Sequence, residues 1–389
     1  MTDMTANNNL NAQMEPGLRP SLPPPTIETG IVGWMRHNLF SSWTNAILTV
    51  LALYIVYLVI PPFVSWAIVH ATWTQPPLAP GVEDHPAGFN DCRANSGACW
   101  IFVEARLPQF FYGFYPQPSR WRVDIVFVML AISVYGLLAE RIKQKKQLFI
   151  FFFGIFPFLA FWLLYGGLGL EFVETRLWGG FMLTLILSGI GIVFSLPLGI
   201  LLALGRRSHL PVVNMLCVLL IEFVRGVPLL TILFMANVML PFFLPPGVEF
   251  NVLLRVLLGV TIFAAAYMAE VVRGGLQGLP KGQYEGAMAM GLGYWQMMRL
   301  IIVPQALNIA RPGIVNNFIS LTQDTTLVAI VGLYDFLNIV RAGSRDTNWL
   351  GTEIEGYVFC ALVYGVICFA MSRYSMYLER KLDTGHKKR

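Results

Sequence analysis

Long apolar runs constrain this chain more than any other feature, because a backbone that crosses lipid must satisfy its own hydrogen bonds. Spanning ~30 Å of hydrocarbon takes about 20 apolar residues in a helix. The 389-residue chain is 56% hydrophobic and 13% charged, with a mean hydropathy of +0.61. The sequence therefore predicts an all-α integral membrane protein of about eight transmembrane helices. They are expected at residues 44–67, 123–140, 147–169, 179–204, 212–243, 252–273, 312–333 and 355–377.

The distribution of lysine and arginine predicts the orientation, because these residues are retained on the cytoplasmic side of short loops. The opposite short loops hold Arg176, Arg341 and Arg345. Many more basic residues lie in the loops RIKQKK and GRRSHL and in the C-terminal tail. Both termini are therefore expected in the cytoplasm. The net charge of +5 is then a topology signal and predicts no nucleic-acid partner.

The N-terminal segment 1–43 is polar and carries the stretch LPPPTIE, so we expect a disordered cytoplasmic tail and no cleavable signal peptide. Cys92 and Cys99 lie in a long loop, 68–121, on the predicted external side. In an oxidising compartment they predict a disulfide, with two free thiols as the alternative, and no metal site is expected. The aromatic stretch CWIFVEARLPQFFYGFYP that follows predicts either an interfacial segment or an external cap.

The stretch EGAMAMGLGYWQMMRLIIVP, residues 285–304, is apolar enough to raise the question of a ninth span. An extra crossing would export the basic tail, so we place the stretch in a cytoplasmic loop at about 274–311. Small residues, among them Gly286, Ala287 and Gly291, would let a short helix approach another protein closely, and Pro304 would end the segment. Packing of this helix against its own bundle is the alternative.

The order Glu285-Gly286-Ala287, three residues, Gly291, nine residues, Ile301, one residue, Val303-Pro304 resembles the EAA loop of ABC importer permeases. That pattern reads E-A-A, x3, G, x9, I, x, L-P, and the departures are Gly286 for alanine and Val303 for leucine. In that family the loop forms the coupling helix that docks on the ATP-hydrolysing subunit. The resemblance therefore implies ATPase-docking roles for Glu285, Gly286, Ala287, Gly291 and Pro304.

The flanking segments IEFVRGVPLL, AYMAEVVRGGLQGLPKGQYEGA and NNFISLTQDTTLVAIVGLYD look like those of polar amino-acid permeases. The resemblance covers roughly 175–378 and implies a five-helix type I ABC importer permease core. Residues 44–174 would add three helices, similar to the longer permeases of the general L-amino-acid transport system. Residues 379–389 would form a basic cytoplasmic tail.

This resemblance implies a multi-pass protein of the bacterial cytoplasmic membrane that works with several partners. These are a dimer of ATP-binding cassette subunits, a second, homologous permease and a periplasmic amino-acid-binding protein. The chain has no G-x-x-x-x-G-K-[ST] loop, so ATP hydrolysis is expected in the partner, with no catalytic residue or bound cofactor here. The alternatives are an ion-coupled secondary amino-acid transporter and a non-conducting structural subunit.

Charged groups inside spans are costly and usually face a cavity or a partner, which makes them candidates for substrate binding. Arg225 precedes Gly226-Val227-Pro228, a sequence that can break a helix. Counted along straight helices, Arg225 and Asp324 reach similar depths and could hold the carboxylate and the ammonium of an amino acid. Neighbours that would complete the site are Glu222, Gln323, Asn317 and Thr325.

Each of these residues also has a structural interpretation. Glu222 and Arg225 could neutralise each other on one helix face. Asp324 and its neighbours could form a polar seam between helices. Asn317 replaces an acid that relatives carry, and a neutral amide suits a broad substrate range. Glu270 and Arg273 are expected to form an ion pair at a helix end, with gating of the inner mouth as the alternative.

Overall fold

The computed structural model describes residues 30–74, 92, 96–139, 142, 144–245, 247–248 and 250–382. Most of the predicted disordered tail and of the basic C-terminal tail lies outside the described residues. The described part is helical and contains no named strand, which confirms the all-α fold. The α-helices are α1 Gly30–Asn38, α2 Trp43–Val64, α3 Ile101–Tyr112, α4 Arg120–Leu138, α5 Lys145–Ile150, α6 Phe156–Tyr165, α7 Gly180–Arg206, α8 Pro211–Gly226, α9 Leu229–Val238, α10 Val252–Gln277, α11 Lys281–Ala289, α12 Tyr294–Met297, α13 Val303–Asp324, α14 Phe336–Ser344 and α15 Glu353–Leu382.

Six helical segments of the described chain are long and apolar enough to cross a membrane. Helices α8 and α9 form a seventh candidate span, broken by a bend of 108°. The six are Trp43–Val69, Gln117–Leu138, Lys145–Tyr165, Gly180–Arg206, Val252–Gln277 and Glu353–Arg380. The predicted span at 312–333 differs: its helix, α13, begins at Val303 and carries polar side chains such as Arg311 and Asn316. Helix α13 is therefore less apolar than the six candidate spans and is not counted among them.

The chain divides into two compact units, Met1–Ala71 and Thr72–Arg389. In the first, α1 occupies residues 30–38, so the predicted disorder of 1–43 is wrong for this part. Its apolar residues, including Trp34, favour a helix over a solvated coil. Helix α2 begins at the N-cap Ser42, whose hydroxyl accepts a hydrogen bond from the backbone N–H of Asn45. None of its side chains is buried within the chain, as expected for an apolar helix with lipid on its sides.

In the second unit, α7 and α10 lie side by side and run in the same direction. Gly191 faces Val260, and Gly199 faces Met268 a little over two turns further on. Helix α13 runs the opposite way and crosses α10 closely at Gly275. A Cβ atom at Gly275 would lie 2.3 Å from the carbonyl oxygen of Ala306. Small residues at such crossings let membrane helices gain van der Waals contact without a water-driven force.

Helices α4 and α6, which belong to the predicted N-terminal extension, pack against the permease-like core. Val123 of α4 and Leu164 of α6 share one buried cluster with Leu183 of α7 and Val256 of α10. Helices α4 and α6 therefore bury apolar side chains against the N-terminal halves of α7 and α10.

One end of the second unit carries a cap, which we define as α3, α14, Cys92 and residues 96–99. Phe102 and Phe110 of α3 are completely buried, and Phe102 contacts Trp349 with ring centroids 5.5 Å apart. The structure therefore favours the cap over the interfacial segment among the two predictions for this stretch. We call this side of the unit the cap end and the opposite side, which carries α11, the docking end.

Candidate functional site

The docking segment, residues 281–304, is a short helix followed by a tight turn and a second helix. Helix α11 ends at Ala289 with Met290 as its C-cap, and Gly291 adopts φ +75°, a left-handed conformation that favours glycine. The N–H of Gly291 donates to the carbonyl of Met288 at 2.9 Å. The chain therefore turns at Gly291. Pro304 does not end the segment; it lies in the first turn of α13, where a missing N–H leaves no intrahelical bond unmade.

The exposed face of the docking segment differs from the predicted one. Ala287 is 1% exposed and packs into a buried cluster of the bundle, because it lies on the inner face of α11. Glu285, Gly286 and Gly291 are exposed, and a Cβ at either glycine would meet open space. Packing within the chain therefore does not require a glycine at either position. The space beside Gly286 and Gly291 is open to another molecule.

Sequence reasoning missed the large apolar side chains on this exposed face. Met288 is 57% exposed, Met290 68% and Trp295 68%. Methionine is flexible and polarisable, and tryptophan is enriched at interface centres, so this group suits a protein contact. The sequence does contain a signal for this surface, because three large apolar residues occur in a loop that is otherwise rich in small residues.

A cluster of charges, the Glu270 cluster, holds the ends of α7, α8 and α10 together. The carboxylate of Glu270 lies 2.7 Å from Arg206, 2.7 Å from Arg273 and 3.5 Å from Arg225. Arg206 also reaches Glu222 at 2.8 Å. Glu270 is the least exposed member, at 14%, and it faces three guanidinium groups. The predicted Glu270–Arg273 pair is present, as one part of a larger network.

The Glu270 cluster connects to the docking segment through Arg207, which directly follows Arg206 at the end of α7. The guanidinium of Arg207 donates to the hydroxyl of Tyr284 at 3.1 Å and lies over the tyrosine ring. It also donates to the carbonyl of Leu276, near the end of α10. Movement of α11 would therefore act directly on the ends of α7 and α10.

The structure does not pair Glu222 with Arg225, although the sequence spacing allowed it. Glu222 instead contacts Arg206, and Arg225 lies over the ring of Tyr267 in addition to contacting Glu270. Glu270 lies two turns before the end of α10, so Arg225 belongs to the docking half of the unit. The predicted depth of Arg225 near the midplane assumed a straight helix, whereas α8 and α9 meet at 108°.

Asp324 lies much nearer the cap end than Arg225 does. The amide of Asn317 donates to the carbonyl of Ala264, and Leu321 packs beside Gly191, which itself faces Val260. Extending this antiparallel register places Asp324 ~15 Å along α10 from the Arg225 contacts. The prediction that the two charges lie at matched depths is wrong, because α13 begins at Val303, well before the predicted start of this span at residue 312.

Polar groups around Asp324 mostly satisfy backbone carbonyls of their own helix end. The hydroxyl of Thr325 donates to the carbonyl of Thr322 at 2.8 Å, and that of Thr326 donates to the carbonyl of Gln323 at 3.0 Å. Gln323 is exposed and contacts the sulfur of Cys368. Asp324 is half-buried, and its carboxylate makes no hydrogen bond or ion pair with the residues that the structure describes. A carboxylate in that position is available to a ligand.

At the cap end, buried acids stabilise backbone groups. Asp335 caps α14 by accepting from the N–H groups of Leu337 and Asn338, and burial raises its pKa above the ordinary value. One oxygen of Glu355 accepts from the N–H of Cys99 at 3.1 Å. Cys92 and Cys99 form a disulfide with their Cα atoms 5.6 Å apart. No group of three or more potential metal ligands occurs in the described part of the chain.

Comparison with known proteins gives consistent matches. Residues 195–384 match the family described as binding-protein-dependent transport system inner membrane component. The inner membrane amino-acid ABC transporter permease protein YhdY of Escherichia coli K12 is 48% identical, over 90% of this chain and 93% of its own length. The glutamate/glutamine/aspartate/asparagine transport system permease protein BztC of Rhodobacter capsulatus is 41% identical, over 94% of this chain and 96% of its own. A crystal structure of an amino acid ABC transporter with histidines is 27% identical, with a TM-score of 0.46, over 52% of this chain and 92% of that chain.

Proposed function

This chain belongs to the amino-acid ABC transporter permeases, multi-pass inner-membrane subunits that carry amino acids, and we propose that its docking segment binds an ATP-hydrolysing partner. The observation that carries the proposal is the exposed group of Met288, Met290 and Trp295 beside Glu285. Large apolar side chains on a segment outside the spans are costly in water and are buried well by a protein partner.

The same proposal explains the contacts behind the docking segment. Tyr284 holds Arg207, and Arg207 is adjacent to Arg206 of the Glu270 cluster. ATP-driven motion of the partner would pull on α11 and be transmitted to the ends of α7 and α10. ATP binds to the partner chain, so this subunit needs no nucleotide site or cofactor. The docking end then faces the cytoplasm, and the cap end faces a periplasmic amino-acid-binding protein.

The substrate proposal centres on Asp324. Its half-buried, unpartnered carboxylate can accept charge-assisted hydrogen bonds from the ammonium of an amino acid. Gln323 and Asn317 lie on the same helix and would line the path, facing a second, homologous permease, whereas Thr325 is 1% exposed and donates its hydroxyl to the carbonyl of Thr322. The relative BztC is named for glutamate, glutamine, aspartate and asparagine, and we propose acidic and amide amino acids as substrates.

Arg225 is a weaker candidate for the substrate carboxylate than the sequence indicated, since Glu270 already holds it. We propose that Arg225 and Glu222 act in the Glu270 cluster, as parts of an inner gate. If Arg225→Gln lowers assembly as much as uptake, this structural role is supported. A loss of apparent substrate affinity with full assembly would return Arg225 to the substrate site.

A pair of charge insertions tests the docking proposal. Met290→Asp should weaken retention of the ATPase subunit by about 2 kcal/mol, roughly thirtyfold, because it places a charge in an apolar contact. Leu350→Asp is the control, since Leu350 is 57% exposed at the cap end. The measurement is the amount of ATPase subunit that co-purifies, together with uptake into proteoliposomes. Equal retention in both variants would contradict docking through α11.

The energy source is tested separately in the same proteoliposomes. Uptake should require ATP inside the compartment where the ATPase subunit lies, and an ion gradient alone should not support it. Uptake driven by a gradient without ATP would favour the secondary-transporter alternative. Normal ATPase binding with no uptake by any permease pair would favour a structural subunit.

A further inference from the structure

A cleft of about 650 Å³, which we call the lateral cleft, separates α4 and α6 from α7 and α10. It lies between α4, α6, α7 and α10, and each wall belongs to a candidate membrane span. Its lining is mostly apolar and includes Leu130, Phe156, Phe161, Ile190 and Leu258. The cleft is distinct from the docking segment and from Asp324, neither of which contributes to it.

An apolar space of this size does not stay empty between packed helices. Protein interiors contain few voids larger than a water molecule, and an apolar cavity does not hold water well. Because the walls are membrane spans, the surrounding solvent is hydrocarbon. The available occupant is therefore a lipid chain.

The polarity of the lateral cleft is concentrated at its cap end. Thr175 and Asn251 lie there, and the amide of Asn251 donates to the hydroxyl of Thr175 at 2.7 Å. Tyr165, at the end of α6, adds a hydroxyl. The indole N–H of Trp178 is buried and has no hydrogen-bond acceptor among the residues that the structure describes. Thr261 is the polar lining residue of the deeper part.

The lateral cleft is long enough to hold an extended lipid acyl chain. Its lining on α7 runs from the turn at Trp178 to Leu198, which at 1.5 Å per residue is ~30 Å. Midway along lies Gly189, where a Cβ atom would meet nothing within 4 Å. The cleft is therefore open in its middle as well as at its mouth.

We propose that the lateral cleft binds a glycerophospholipid, with one acyl chain along α7 and the ester and phosphate groups at the cap-end mouth. The ester carbonyl would supply an acceptor to Trp178, after a small rotation of the indole ring, and hydrogen-bond partners to Thr175 or Tyr165. The exposed Arg176, next to Thr175, would contact the phosphate.

A photocrosslinking experiment on the purified transporter complex tests the proposal. The probe is a phospholipid with a diazirine in the middle of one acyl chain, added to delipidated complex. The wild-type complex should be labelled on α6, α7 and α10 at lining residues such as Ile190, and unlabelled phospholipid should compete. Gly189→Phe should abolish this labelling, because its side chain fills the cleft.

Gly154→Phe is the matched control, since Gly154 also has open space around it, lies in a candidate span and does not line the cleft. It should leave the labelling unchanged. A diacylglycerol probe with the same chain separates the phosphate from the chain: Arg176→Gln should reduce labelling by the phospholipid and leave diacylglycerol labelling unaltered.

Three outcomes would overturn the lipid site. They are equal labelling in Gly189→Phe and Gly154→Phe, labelling that unlabelled phospholipid does not compete, and a crosslink from cleft residues to another subunit. If Gly189→Phe fails to assemble, competition in the wild-type complex decides the question, because a specific site saturates and a lipid-facing surface does not.

Discussion

The two ends of the second unit are held together by different physical means. At the cap end, a disulfide, buried aromatic rings and the buried Asp335 and Glu355 fix α3 and α14 to α15. At the docking end, one carboxylate, that of Glu270, holds three arginines, and exposed methionines face outward. The cap end combines a covalent bond with buried contacts, whereas at the docking end three arginines share one carboxylate beside a buried apolar cluster that includes Ala287.

This difference suits a transporter whose two ends have different tasks. A covalently closed and buried cap keeps its shape while a partner binds and leaves. Ion pairs between helix ends can separate and reform, because water and neighbouring charges compensate them during a movement. We therefore expect the docking end to be the part that rearranges during transport. The predictions below test this contrast from the largest expected effect to the smallest.

Removing the shared carboxylate should have the largest effect. Glu270→Gln leaves Arg206, Arg225 and Arg273 close together, with the exposed Glu222 as the remaining acid of the cluster. Breaking a largely buried ion pair on one side typically costs about 3–5 kcal/mol, so we expect a loss at the lower end of this range. The measurement is thermal unfolding of the complex in nanodiscs.

Glu222→Gln is the control for this prediction, since the Glu222 side chain is 54% exposed. A surface pair of this kind contributes about 0–1 kcal/mol. If the two variants lose the same stability, the Glu270 cluster is not centred on one carboxylate, and the contrast between the ends is weaker than the structure indicates.

Opening the disulfide should have the next largest effect. The Cys92→Ser, Cys99→Ser double variant loses a link across a short loop, which typically stabilises by ~2–3 kcal/mol. A reductant should lower the unfolding temperature of the wild type and leave the double variant unchanged. Free thiols at both positions in unreduced peptides, found by mass mapping, would exclude this bond from the native protein.

The positions of the helices were predictable because the apolar runs are long, but the relative depth of polar groups was not. The 108° bend between α8 and α9 changes the position of Arg225, and Gly226-Val227-Pro228 indicates a break without its angle. Helix α13 starts before Pro304 because proline is tolerated in a first turn. Asp324 is therefore displaced toward the cap end.

In the docking segment, too, the sequence predicted the position of the element but not the direction in which single side chains point. The spacing of its small residues predicted a loop between two spans, and the structure has α11 and the turn at Gly291 there. It did not tell which side of α11 faces the bundle, so Ala287 was assigned to the wrong face. The exposed methionines were not predicted, because the pattern that identified the loop consists of small residues.

Two glycines of the docking segment should respond in opposite directions to alanine. Gly291→Ala should cost about 1 kcal/mol, because the left-handed conformation at φ +75° penalises a Cβ atom. Gly286→Ala should be neutral or stabilise α11 by up to about 1 kcal/mol, since the residue lies within a helix and has space. Hydrogen exchange of residues 281–304 measures this difference. Faster exchange in both variants would argue against the turn.

The smallest effect on stability is expected from low pH, which protonates Asp346 at the cap end. The N–H of Asn348 and the guanidinium of Arg106, 2.5 Å away, hold the pKa of Asp346 below its ordinary value. An acid with a lowered folded-state pKa stabilises above its unfolded pKa and loses that contribution as pH falls through the folded value. Stability should therefore fall below about pH 4.

The magnitude should stay under about 1 kcal/mol, because the side chains of Arg106 and Asp346 are 27% and 34% exposed and solvent screens them. Asp346→Asn should remove this part of the acid dependence, measured as the difference in unfolding temperature between pH 7 and pH 3.5. An acid dependence equal to that of the wild type would assign the loss to other carboxylates. A loss well above this size would mean that the cap, like the docking end, depends on a single ion pair.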